Sequence, residues 1–146
     1  MGLTKRQKDE KTTNNNKKDM NTEELIETII DCAKTVRGQL TPGFEEKIYK
    51  NAMFIEMRDR GINVETELPF QVKYKGIPVG EYRADMVAER KVMIELKAVN
   101  ALATIHEVQL VNYLTATGID YGLLINFGAE TIEIRRKFRI YRKKFS

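Results

Sequence analysis

Two hydrophobic periods divide the chain. From Asn21 onward Leu25, Ile26, Ile29, Ile30, Ala33 and Val36 recur at helical spacing. Thr22 stands as the N-cap, and Glu23, Glu24 and Glu27 lie near the positive end of the helix dipole. This pattern predicts a helix over 22–38, which Leu40-Thr41-Pro42-Gly43 then breaks. A second helix is expected over 43–60, with Phe44, Ile48, Ala52 and Ile55 as its apolar stripe and Gly61 at its end. Beyond that the period drops to two. Ile62-Asn63-Val64-Glu65 opens an extended run, and Phe70 to Tyr74 alternates and turns at Lys75-Gly76. Ile77 to Ala88 and Val92 to Ala98 read as further strands. A helix over 103–117 ends at Gly118, and Tyr121 to Phe127 is apolar throughout, as a strand covered on both faces should be. Thr131 to Arg136 alternates again. The expected order is α-α-β-β-β-β-α-β-β, an α/β layer built on a mixed sheet with a central antiparallel meander flanked by helices.

Residues 1–20 have almost no apolar content and read as a disordered polar leader. Residues 21–140 are expected to form a single domain, followed by a basic C-terminal tail at 141–146. The overall charge of +4 conceals a division. The leader carries six basic and three acidic groups, residues 135–146 carry seven basic and none acidic, and the intervening chain is net −6. Basic character alone therefore does not argue for nucleic acid at the core, only at the C-terminal end. No apolar run approaches the roughly 20 residues of a membrane span. The single cysteine, Cys32, excludes an internal disulfide and a cysteine-rich zinc site and fits a reducing cytoplasm. With His106 the lone histidine, a metal site here would have to be built from oxygen.

An oxygen-based site has candidates in Asp85 and in Glu95-Leu96-Lys97. On a strand, Glu95 and Lys97 share a face with Met93, while Val92, Ile94 and Leu96 take the other. Alternation puts Asp85 on the side of Arg83 and Val87. Register decides whether the carboxylates meet. A three-residue loop, Glu89-Arg90-Lys91, would pair Ala88 with Val92 and Asp85 with Glu95, whereas a two-residue loop would oppose Asp85 to Ile94 and send the acids to opposite faces. Two facing carboxylates destabilise a sheet and ask for a counter-charge, which Lys97 or a bound Mg²⁺ or Mn²⁺ would supply. The competing reading is an exposed hairpin with a Glu/Lys face. Two further groupings stand nearby. His106, Gln109 and Tyr113 lie on one stripe of the third helix, able to position substrate or simply facing solvent. Glu46 and Tyr49 follow Gly43 at the start of the second helix, where Glu46 could equally make a surface pair with Lys50.

These residues resemble the GxxExxY protein family, a branch of the PD-(D/E)XK nuclease superfamily. The naming motif stands as Gly43, Glu46 and Tyr49, and the nuclease signature as Tyr82-Arg83-Ala84-Asp85 with Ile94-Glu95-Leu96-Lys97. The resemblance runs from about Ile26 to Phe127 and includes His106-Glu107, Gln109-Leu110, Asn112-Tyr113-Leu114 and Gly122 to Phe127. It implies that Asp85 and Glu95 ligate a Mg²⁺ or Mn²⁺, with the Leu96 carbonyl and Glu46 completing the set. It further implies that Lys97 orients or deprotonates the attacking water, with Gln109 and Tyr113 as motif residues, while His106 and Tyr49 are expected to position substrate. The proline that usually precedes the first acid is replaced by Ala84. The expected activity is metal-dependent phosphodiester hydrolysis on DNA, with Arg135, Arg136, Lys137, Arg139, Arg142, Lys143 and Lys144 able either to follow a phosphate backbone or simply to solubilise the chain end. The alternative is a nuclease-like binding or assembly module that does not turn over. In either case a partner subunit or self-association could supply the missing grip on substrate.

Overall fold

The computed structural model describes residues 20–140. Helix α1 (Thr22–Gln39) and helix α2 (Glu46–Asp59) come first, followed by β1 (Val64–Tyr74), β2 (Ile77–Ala88) and β3 (Val92–Lys97). Helix α3 (Thr104–Thr117), β4 (Tyr121–Asn126) and β5 (Glu133–Phe138) complete the order. The five strands lie in the spatial order β1-β2-β3-β4-β5. All neighbours are antiparallel except β3 and β4, which run parallel because α3 carries the chain across between them. This is the expected mixed α/β sheet, with one strand fewer. The extended runs at Ile62–Glu65 and Phe70–Tyr74 belong to one continuous edge strand, where Pro69 is tolerated.

The two sheet faces are covered by different helices. On one face Leu25, Ile26, Ile29 and Val36 of α1 and Tyr49, Met53 and Met57 of α2 pack over Met86, Ile94, Leu96, Leu123 and Ile125. On the other, Leu110 and Leu114 of α3 meet Ala84, Val87, Met93 and Leu124. Strand β4 is thus buried on both sides, as its unbroken apolar run requires. Gly122 lets α3 approach closely, since a Cβ there would stand 3.0 Å from a Leu114 methyl.

Three local expectations are corrected. The N-cap of α1 is Asn21, whose side chain accepts from the Glu24 amide, rather than Thr22. Helix α2 begins at Glu46, and it buries Tyr49, Met53 and Met57. Of the expected stripe Ala52 packs against the core, whereas Phe44 and Ile55 turn outward at 49% and 51% exposed. Of the expected polar leader only Met20 is described, and it packs against the α1 side of the core. The rest of the leader and the basic tail at 141–146 lie outside the described residues. No helix among the described residues is long and apolar enough to cross a membrane.

Candidate active site at a fork in the sheet

Strand β2 pairs with β1 along its whole length but with β3 only from Met86↔Ile94 to Ala88↔Val92. The loop is the three-residue Glu89-Arg90-Lys91, with Glu89 and Arg90 both at positive φ and the Lys91 amide bonded to the Ala88 carbonyl. Its register carries Asp85 opposite Glu95, one step beyond the last ladder pair. There the strands part and side chains take over the bonding. The Asp85 amide donates to Glu95 Oε1 at 3.1 Å, and the Leu96 amide donates to Asp85 Oδ2 at 2.9 Å. Each acid thus accepts from the opposite strand's backbone, which holds both carboxylates in the gap of the fork.

Strict alternation fails at this level. Ala84 and Val87, three residues apart, pack into the same core under α3. In β1, Val64 packs on the α1/α2 side and Leu68 on the α3 side, although four residues separate them. Glu67, at φ +52, is where β1 changes faces. The simple alternation that would place Asp85 with Arg83 and Val87 is therefore interrupted at Asp85 itself.

Burial sets the electrostatics. Glu95 is 9% exposed, and loss of water together with the neighbouring Asp85 charge pushes its carboxyl up to about 9. Glu46, on the first turn of α2, is raised by burial and then by Asp85, while Lys97 and Lys50 pull it down. Lys97 is half-buried and its charge also favours ionised Glu95. Lys50, one turn after Glu46, reaches Asp85 Oδ1 at 3.3 Å and also bonds to Glu67. Glu46, Lys50 and Lys97 thus all interact electrostatically with the fork carboxylates.

The other expected residues divide. The Gln109 amide donates to the Tyr113 hydroxyl at 2.9 Å, and the Tyr113 ring lies 5.0 Å from Phe70 and 5.2 Å from Tyr82. Burial and then the Glu95 charge raise the Tyr113 phenol. His106 is used locally, its Nδ1 accepting from the Ala103 amide at the start of α3. Tyr49 is not available to a substrate. It is fully buried, stacked on Phe127, with its hydroxyl donating to the Thr41 carbonyl and accepting from the Phe44 amide. Leu96 buries its side chain in the α1/α2 core. Of the cationic run, Arg135 pairs with Glu133, Arg136 with Glu23, Lys137 with Glu107 and Arg139 with Asp120. Those four are committed to intramolecular acids, and Arg142, Lys143 and Lys144 lie outside the described residues.

Lys50, Glu67 and Asn126 were not anticipated as parts of the site. The spacing of Lys50 suggested only a surface pair with Glu46. Buried Asn126 braces the exit of β3, accepting from the Val99 and Gly128 amides and donating to the Val99 carbonyl and Glu133. Gly128 fits beneath that loop because a Cβ would come within 2.5 Å of Ala98 and Val99 backbone.

Among the described residues no three acidic, histidine or cysteine groups converge into a complete ligand cluster, so Glu46, Asp85 and Glu95 do not close as the expected three-acid set. The donor chemistry nonetheless suits a hard cation. Asp85 already has a cationic ammonium against one oxygen, and burial with the Asp85 charge raises the Glu95 carboxyl, a rise that added positive charge would oppose. An ion that keeps several waters needs only one or two protein carboxylates.

The family model of the PD-(D/E)XK nuclease superfamily matches residues 23–137, and the chain belongs to that superfamily. Among solved structures, the one titled "Crystal structure of SSO0001" superposes with a TM-score of 0.51 at 20% identity, covering 66% of this chain and 50% of that one. The chain thus spans half the length of that neighbour, and the likeness is one of fold. No curated protein matches the chain.

Proposed function

We propose that the chain is a divalent-metal phosphodiesterase acting on DNA, of the GxxExxY branch of its superfamily. The observation that carries this reading is the pair of carboxylates in the fork, each bonded to the other strand's backbone, with Lys97 on the strand of Glu95. Asp85 and Glu95 would hold Mg²⁺ or Mn²⁺ with the Leu96 carbonyl, and Glu46 would approach from α2. When bound, such an ion supplies Lewis acidity toward a phosphoryl oxygen and acidifies water. Lys97 holds the attacking water and stabilises charge developing at the phosphate. Gln109 and Tyr113 position the substrate, the phenol kept neutral by burial and by Glu95. Within the single domain at 21–140, grip on DNA comes from surfaces other than the four paired cations of β5 and its exit.

A silent binding module is the second reading, favoured by the Lys50 ammonium that already neutralises Asp85. Incubating linear, circular and single-stranded DNA in Mg²⁺, Mn²⁺ or EDTA with the wild type, Lys97→Ala and Asp85→Asn separates the two. Metal-dependent cutting lost in both variants is the expected result. Intact DNA under every condition, with binding retained, would establish the module instead.

A further inference from the structure

Among the described residues Glu67 is the one non-glycine residue at positive φ outside a turn, since Lys75, Glu89 and Arg90 occupy the two hairpin loops. A left-handed conformation in mid-strand is strained for a residue with a side chain and persists only where the surroundings impose it. Here it turns the Glu67 side chain to the Lys50 ammonium, which also lies 3.3 Å from Asp85 Oδ1. Lys50 and Asp85 are 19% and 15% exposed at their side chains, whereas Glu67 is 47% exposed. Burial by itself would lower Lys50, but the bond to Glu67 and the charge of Asp85 outweigh it and hold the ammonium above its usual range. One cation thus bridges a sheltered acid in the fork and a more open acid at the rim.

We propose that Lys50 is a resident counter-ion of the cation seat and that Glu67 is its parking place when a divalent ion arrives. The inference rests on the nuclease reading of the fork. Without metal, Lys50 neutralises Asp85 and relieves its repulsion of Glu46. A divalent ion and the ammonium compete for the same Asp85 oxygen. Because Glu67 already bonds Lys50, displacement requires a swing about an existing contact and leaves no charge unpaired. The strained backbone at Glu67 is what places that second acid within reach.

Calorimetric titration of the EDTA-stripped protein with Mn²⁺ tests the competition without relying on turnover. Lys50→Met is expected to bind Mn²⁺ about tenfold tighter than wild type, the scale of a moderate coupling between two ligands. Glu67→Gln is expected to bind more weakly, because the displaced ammonium loses its refuge, and Lys50→Met with Glu67→Gln should match Lys50→Met alone. Circular dichroism checks that each variant is folded, and the metal-free Tm of Lys50→Met should fall. Mn²⁺ binding by wild type with equal or weaker binding by folded Lys50→Met would overturn the counter-ion role and leave the nuclease reading standing. Absence of Mn²⁺ binding in both proteins would sink the two together.

Discussion

The Asp85 amide bonds the carboxylate of Glu95 at 3.1 Å, and the amide following Glu95 returns a bond to the carboxylate of Asp85 at 2.9 Å. This reciprocal arrangement lets β2 leave the sheet without stranding those two backbone donors. It also locks two acids side by side at the cost of raising one of them. Glu95 therefore connects the stability of the fold to its chemistry.

The pH dependence follows from that raised carboxyl. Its folded value of about 9 exceeds the ordinary 4.5, so its stabilising contribution is complete below 4.5 and is lost as pH climbs through 9. Inside that window the metal-free protein should lose up to about 1.4 kcal/mol of stability per pH unit through this group. Glu95→Gln keeps an acceptor for the Asp85 amide but cannot ionise. Urea melts in EDTA at successive pH values should show the wild type falling away from Glu95→Gln with rising pH. Parallel curves would refute the assignment.

Proton release accompanies the same change. Burial and the Asp85 charge hold the Glu95 carboxyl above its ordinary range and so favour its protonated form without metal, and a ligating carboxylate must give its proton up. Mn²⁺ titrations in buffers of different ionisation enthalpy should report release of about one proton per ion at neutral pH. Buffer-independent heats would contradict this.

Tyr113→Phe separates positioning from packing. The ring contacts with Phe70 and Tyr82 survive, while the hydroxyl partner of Gln109 is removed. Cleavage should slow by about tenfold or more, with Tm nearly unchanged, if the phenol positions substrate. An unaltered rate on every DNA form would reduce Tyr113 to a packing residue.

Tyr49→Phe should show the converse pattern. Losing the hydroxyl strands the Thr41 carbonyl and the Phe44 amide at the entrance to α2, which costs about 1–3 kcal/mol. Denaturant melts should reveal this loss, while Mn²⁺ affinity at the fork stays within about twofold of wild type, well under the tenfold that 1.4 kcal/mol would give. A stable variant with impaired turnover would return Tyr49 to the substrate.

Gly128→Ala tests the brace beneath β3. The added methyl would stand 2.5 Å from backbone on both sides of the Ala98–Val99 peptide, atoms that cannot rotate away. Overpacking of this kind costs about 1–3 kcal/mol, and the strain falls on the loop just beyond Lys97. Thermal melts should register it, and a neutral result would mean the loop moves freely.

Much of this was legible in the residues because it follows from period and turn length. Strand alternation put Glu95 with Lys97, and the Glu89-Arg90-Lys91 loop brought Asp85 opposite Glu95. Helix α2 was harder. Phe44, Ile48, Ala52 and Ile55 form one apolar row, and Tyr49, Met53 and Met57 form another on the same helix. Choosing between them depends on how α2 lies against the sheet, which is a tertiary matter. Tyr49 was misjudged for the same reason, its polar tip suggesting substrate while its ring fills the space over Phe127. The spacing of Lys50 points only to Glu46, and Glu67 gives no local signal. Their pairing depends on a left-handed residue inside a strand, a conformation that glutamate does not advertise.

The parting of β2 from β3 has a mechanical side. Beyond Asp85 the β1–β2 hairpin continues as a two-stranded arm to its tip at Lys75-Gly76, bonded to itself but no longer to the central strands. The arm is not free of the body, because Phe70 and Tyr82 rest on Tyr113 of α3. The third helix therefore props the hairpin from one side, and the two acids lie where the propped ribbon departs from β3.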